Sequence, residues 1–284
     1  MAWVMSRHAG ARDDVDNLCT WRPLPSDARA HADPFVLLSH HGPHSYPAKN
    51  RGLPFGLHPH RGFETVTFVL QGSLQHKDRN SEVTTDAGGV QWLTAGRGAV
   101  HAEQSPKKFM EQGGSVELVQ LWVNLPSRWK MVPSRFRGLQ KRDLPTHRAG
   151  AAMVTPVAGE WFGEHGPFEP ITDVGLARLD VDAGGRVVVD VKAGQVCVVY
   201  VVDGSACGAV AHDIVVFDPA DADGNDGAVD SVVVDAGAAG AVVIVGTGTP
   251  FGEPVVSVGP FVMNTDEEIR QALFDARMGR MDRG

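Results

Sequence analysis

Short β-branched runs, each closed by glycine, aspartate or asparagine, recur along most of this chain. Residues 65–70, 116–123, 186–191, 196–202, 214–217, 231–234 and 242–245 are seven of them, none longer than eight residues. Thirty-three glycines and 18 prolines supply the punctuation. Many short strands at close spacing predict an all-β sandwich or barrel. A parallel α/β fold is disfavoured, because no helical-period segments alternate with the runs. One helix is expected. Thr265-Asp-Glu-Glu268 reads as a capping box, and Ile269, Leu273 and Ala276 follow at helical spacing. With Arg277 and Arg280 where the dipole favours cations, the helix is predicted over about 266–279, its apolar stripe docked on the strands.

At 284 residues the chain has room for two domains. The formal charge of −8 argues against direct binding of nucleic acid or an anionic membrane surface. Cys19, Cys197 and Cys207 form no zinc-ribbon or disulfide pattern, which suits a reducing compartment. The start MAWVMSRHAGARDD lacks the apolar core of a secretory signal, and no run nears the roughly 18–20 apolar residues of a membrane helix. A cytoplasmic location is the expectation. Residues 126–150 carry three prolines and seven basic residues against the single acidic Asp143. They read as a connector, either solvated or, over 128–148, a docking patch for an anionic protein partner.

The chemistry concentrates in GLHPHRGFETVTFVLQG (56–72) and QWLTAGRGAVHAEQ (91–104). His58 and His60 form one i, i+2 pair, and His101 and Glu103 another. A strand sends residues i and i+2 to the same face, so each pair can aim two ligand atoms at one point. Two such strands facing each other inside a barrel would make a site of three imidazoles and one carboxylate. That set suits one divalent transition ion (Fe, Ni, Cu, Co, Mn or Zn) rather than Ca or Mg. Glycines 96 and 98 would let the backbone turn beside it without a Cβ clash. Phe68-Val-Leu-Gln-Gly72 also resembles Tyr200-Val-Val-Asp-Gly204, a weak internal repeat. Superposing those glycines sets His58 on Asp190 and His60 on Lys192, so only the first half keeps the ligands.

HPHRGFETVTFVLQG followed by QWLTAGRGAVHAEQ resembles the signature of the pirin family, within the cupin superfamily. The likeness extends to DPFVLLSHHGP, LVQLWVNLP and EPVVSVGPFVMNTDEEIRQAL and thins over about 150–250. It implies a monomeric bicupin, two antiparallel jelly-roll β-barrels face to face with a C-terminal helix. The domains would be 1–130 with the metal, a linker at 131–150, and 151–284 without metal. It implies His58, His60, His101 and Glu103 as ligands, usually to Fe2+. The implied activity is quercetin 2,3-dioxygenase, cleaving a flavonol with O2 and releasing carbon monoxide. The alternative it carries is a non-catalytic, redox-responsive iron protein that regulates a transcription factor or metabolic enzyme.

Glu64 holds the glutamate position of the general cupin motif, but two carboxylates would overcrowd one ion. In pirin-like sequences Glu103 takes the role, which leaves Glu64 structural or orienting a ligand imidazole. Glu103 is then the candidate base for the flavonol 3-hydroxyl. Phe55, Phe63 and Trp92 could wall the pocket. Arg61 and Arg97 could meet a substrate anion or a local carboxylate. His40, His41 and His76 sit where the chain departs from the family pattern, as added contacts or as satisfied side chains; His76 could line the pocket mouth.

Overall fold

A computed structural model describes residues 3–219 and 229–281. The chain divides into two compact units, each built from separated stretches of sequence. Unit 1 comprises Met1–Ala11, Arg22–Val36 and Arg142–Pro250; unit 2 comprises Arg12–Trp21, Leu37–Lys141 and Phe251–Gly284.

Unit 1 is a nine-stranded antiparallel sheet whose main path runs from Trp3–His8 to His147–Ala149. Its strand Arg186–Lys192 shows the period-2 pattern plainly, with Val187, Val189 and Val191 buried between exposed neighbours. The central strand Val196–Ala206 starts with seven consecutive buried residues, as a strand covered on both faces does. Val187, Val189, Val191, Val199 and Val201 join Leu179, Val215, Val243 and Val245 in one core.

Unit 2 carries the motif residues on two sheets. A four-stranded sheet runs Phe55–His60, Ala99–Gln104, Ser73–Lys77, Glu82–Asp86. A seven-stranded sheet runs Arg135–Leu139, Val90–Thr94, Phe63–Gln71, Gly114–Asn124, Phe35–Tyr46, Thr20–Leu24, Ala11–Arg12. The expected barrels are not formed. Each sheet is open, with Phe55–His60 and Glu82–Asp86 ending one and Arg135–Leu139 and Ala11–Arg12 ending the other. Closure requires first and last strands to pair at a fixed stagger, a long-range condition that alternating hydrophobicity does not impose. The architecture is therefore mostly β, two sheet clusters with a C-terminal helix.

The helix spans Asp266–Arg277, with both hydrogen bonds of the Thr265–Glu268 capping box in place. It stops two residues before the predicted end, where Gly279 adopts φ +62° and Arg280 N–H returns to the Asp275 carbonyl. Ile269 and Ala272 are buried with Phe261, Met263 and Met281, and Val100 packs on that cluster, so the helix joins the strand that carries His101. Gly62 and Gly98 make room for this segment: a Cβ at either would strike a backbone carbonyl, of Val262 or Met281 respectively. The stretch read as a connector is ordered too. Its Arg135–Leu139 pairs with Val90–Thr94 as a sheet edge. Among the described residues no helix is long and apolar enough to cross a membrane.

Candidate metal centre

His58 and His101 are directly opposite in the antiparallel ladder of the four-stranded sheet, and His60 is opposite Ala99. Direct opposition puts side chains on one face, so the three imidazoles share it. The two strands are hydrogen-bonded neighbours, not facing walls of a barrel as the spacing alone suggested. A register shift between His101 and Glu103 leaves one extra residue on the 55–60 strand. Such bulges re-aim side chains beside functional sites. The Gly56 carbonyl there accepts from His58 Nδ1 at 2.7 Å.

Ligand atoms of His58, His60 and His101 all lie within 4.8 Å of one another. His60 and His101 are buried and His58 is half-buried. Hydrogen bonds decide which nitrogens face inward. A carbonyl oxygen can only accept, so His58 Nδ1 donates to Gly56 and His60 Nδ1 donates to the Pro260 carbonyl at 3.3 Å. Both Nε2 atoms are then bare lone pairs, and they face each other at 3.1 Å. The buried Nε2 of His101 has no hydrogen-bond partner among the described residues. Converging lone pairs repel unless a cation lies between them. Burial first, then His58, pushes the His60 imidazole down to about 3. Burial, with His60, His58 and His76 nearby, drives His101 strongly down as well. Neutral imidazoles in this arrangement fit a divalent transition ion.

Glu103 lies on the same strand but outside that group of three. Its two carboxylate oxygens accept from Gln120 Nε2 at 3.0 and 3.1 Å, and Thr67 Oγ1 stands 3.5 Å away. Trp122 Nε1 donates to Gln120 Oε1 at 2.9 Å, which turns the amide nitrogen toward Glu103. The Trp122 ring also meets His60 edge-on at 5.4 Å and Phe63 at 4.3 Å. Gln120, Trp122 and Thr67 were not singled out from sequence. The signal was there in QLWVN, where Gln120 and Trp122 stand at i, i+2.

Other predicted residues divide. Phe63, Thr65 and Thr67 face the cluster, so Glu64 and Val66 on the same strand point the other way. Glu64 is fully buried there, accepts from Thr94 Oγ1, and is held above the usual carboxylate range chiefly by burial. Trp92, opposite Val66, shares that far face. Neither reaches the cluster. Arg61 is spent on structure, donating to the Arg97 carbonyl at 2.6 Å and to Asp275 Oδ2 at 2.8 Å. Phe55 packs on His41, which meets Thr20 Oγ1 at 2.8 Å. His40 bonds Glu117 at 3.0 Å.

His76 does reach the cluster. It stands opposite Glu103 on the next strand, its Nδ1 3.2 Å from His101 Nδ1 and its Nε2 3.0 Å from Asp78 Oδ2. Asp78 is itself fixed by the backbone N–H groups of Asn80 and Ser81 and by the Ser81 hydroxyl. Burial raises its carboxyl, but the bonds from His76, Asn80 and Ser81 bring it below the usual range. Asp78, Ser81, His101, Arg135 and Phe136 border a cavity of about 170 Å³.

Residues 18–123 match the family model described as Pirin, and residues 176–282 match the one described as Pirin C-terminal cupin domain. A Pseudomonas aeruginosa protein named "Putative quercetin 2,3-dioxygenase" is 37% identical over 264 residues, 89% of this chain and 88% of that protein. A crystal structure of quercetin 2,3-dioxygenase from Acinetobacter baumannii superposes with a TM-score of 0.86 at 30% identity, covering 97% of this chain and 96% of that one. A bacterial pirin of Escherichia coli in complex with nickel(II) shares the fold, with a TM-score of 0.66 at 18% identity over 87% of this chain and 100% of its own.

Proposed function

The chain belongs to the pirin family, and from that premise we propose that it is a metal-dependent dioxygenase that opens the flavonol ring of quercetin with O2, releasing carbon monoxide. One observation carries the metal part of this reading: three imidazole Nε2 atoms converge with their Nδ1 sides tied elsewhere. The substrate part is supported by the likeness to proteins named for quercetin 2,3-dioxygenation.

In this reading His58, His60 and His101 hold the ion, with Glu103 as the fourth ligand, and Fe2+ is the metal proposed. When bound, the ion would supply Lewis acidity toward a substrate hydroxyl and redox chemistry toward dioxygen. The protein's own residues do the rest. Glu103 takes the 3-hydroxyl proton, and Gln120, turned by Trp122, holds the carboxylate in place for it. His60, Phe63 and Trp122 pack their rings together and keep that side dry. The cavity behind His101, about 170 Å³, is smaller than the roughly 300 Å³ of an ordinary small-molecule site. In this reading the flavonol approaches from the open side, beside half-buried His58.

The test is direct. Bound metal is quantified, and quercetin loss is followed together with oxygen uptake in wild type and His101→Ala. Turnover coupled to oxygen in the metal-loaded wild type, lost in the variant, is expected. A metal-replete wild type that leaves quercetin intact would sink the dioxygenase reading and leave the metal site standing.

A further inference from the structure

The three histidines differ in what fixes them. His58 and His60 give their Nδ1 protons to backbone carbonyls, which no substitution removes. His101 depends on another side chain. We propose that Asp78 and His76 form a positioning pair that sets the ring tautomer and orientation of His101, turning its Nε2 lone pair toward the cluster; the purpose of this rests on the metal reading above.

The Asp78 carboxylate can only accept, so His76 carries its proton on Nε2, 3.0 Å away. An imidazolium at His76 would donate from Nδ1 and reverse the His101 tautomer; a neutral His76 presents a bare Nδ1 that accepts from His101 Nδ1 at 3.2 Å. His101 Nε2 is left unprotonated. The opposite His101 tautomer would face two lone pairs across that 3.2 Å gap and point a proton at His58 and His60. Each link is held mechanically. Asp78 is gripped by Asn80 and Ser81 through its other oxygen. His76 is buried and stacked flat on Phe136, ring centroids 3.5 Å apart and planes 5° from parallel. Phe136 comes from the Arg135–Leu139 edge strand, which gives that strand a part in the site. Outer partners of this kind commonly fix the tautomer of a metal-bound imidazole.

Two variants separate a relay from mere packing. His76→Gln offers an amide donor to Asp78 and a carbonyl acceptor to His101, copying the neutral imidazole. His76→Phe keeps the stack on Phe136 and offers neither. The metal-free proteins, labelled with 15N-histidine, are compared by long-range 1H–15N NMR, with His101 assigned through His101→Gln. Cobalt(II) affinity is then measured by competition titration. Wild type and His76→Gln should show the His101 proton on Nδ1 and similar cobalt affinity. His76→Phe should show mixed tautomers and lose about 10–100-fold in affinity. An unchanged His101 tautomer and unchanged affinity in His76→Phe would overturn the proposal. Should that variant not fold, Asp78→Leu puts the same question at a more exposed position. A wild type that takes up no cobalt would defeat the metal reading, and the tautomer comparison would still decide for or against the relay.

Discussion

Gln120 shows how far a single side chain can govern this site. Its carbonyl is occupied by the Trp122 indole, so its amide nitrogen turns to both oxygens of Glu103 and to Thr67 Oγ1. Hydrogen bonds to a charged group contribute about 1.5–3 kcal/mol. Gln120→Leu should therefore lower quercetin turnover at least about tenfold, chiefly in kcat, while cobalt uptake by the three histidines persists. Steady-state kinetics beside a metal titration would show it, and an unchanged kcat would remove Gln120 from the mechanism. The histidine pairs were legible in the sequence because a two-residue period needs no knowledge of neighbours. The partners of Glu103 and His101 were not, because they come from other strands and depend on register. Facing was illegible where burial is two-sided. The strand Phe63–Gln71 begins with seven buried residues in a row, so nothing in its pattern says that Phe63 turns toward the cluster and Glu64 away.

Among the elements, the helix Asp266–Arg277 was readable because capping and amphipathic spacing are local signals. What it docks on is a tertiary matter. Its anchor is the ion pair between Arg61 and Asp275, with side-chain exposures of 6% and 15%. Burial raises the Asp275 carboxyl, but Arg61 and Gln271 bring it below the usual range. A depressed carboxylate pKa contributes stability that is present above the unfolded value of about 3.9 and lost as pH falls through the folded value. Asp275→Ala should cost about 2 kcal/mol at neutral pH, less than for a fully buried pair because Asp275 keeps some contact with water. The gap from wild type should close in acid. Urea midpoints at pH 7 and pH 3 check both statements; a gap that is equal at the two values would mean the charge is not what matters. The edge strand Arg135–Leu139 is the opposite case. Its prolines and basic neighbours suggested a connector, and only cross-strand pairing reveals a strand whose Phe136 packs on His76.

At the scale of the whole molecule, the short β-branched runs were enough for a mostly β chain, and His58, His60 and His101 do lie within one unit. Sheet closure was not readable, since it depends on how distant strands meet. Neither was the threading, in which both units draw on non-adjacent segments. A chain ended after Pro250 keeps His58, His60 and His101. It loses the Pro260 carbonyl that takes the His60 proton and the cover over Val100. It should bind cobalt at least tenfold more weakly than the full chain and unfold at lower urea; equal affinity would make the 251–281 segment dispensable to the site.

The same threading orders events during synthesis. The three histidines are translated by residue 101, but the carbonyl that orients His60 belongs to residue 260. At about 5–20 residues per second, a ribosome needs roughly 8–30 seconds to cover that interval. Through it the nascent chain holds all three histidines without the carbonyl that orients His60, so the site is completed only when the last part of the chain has been made.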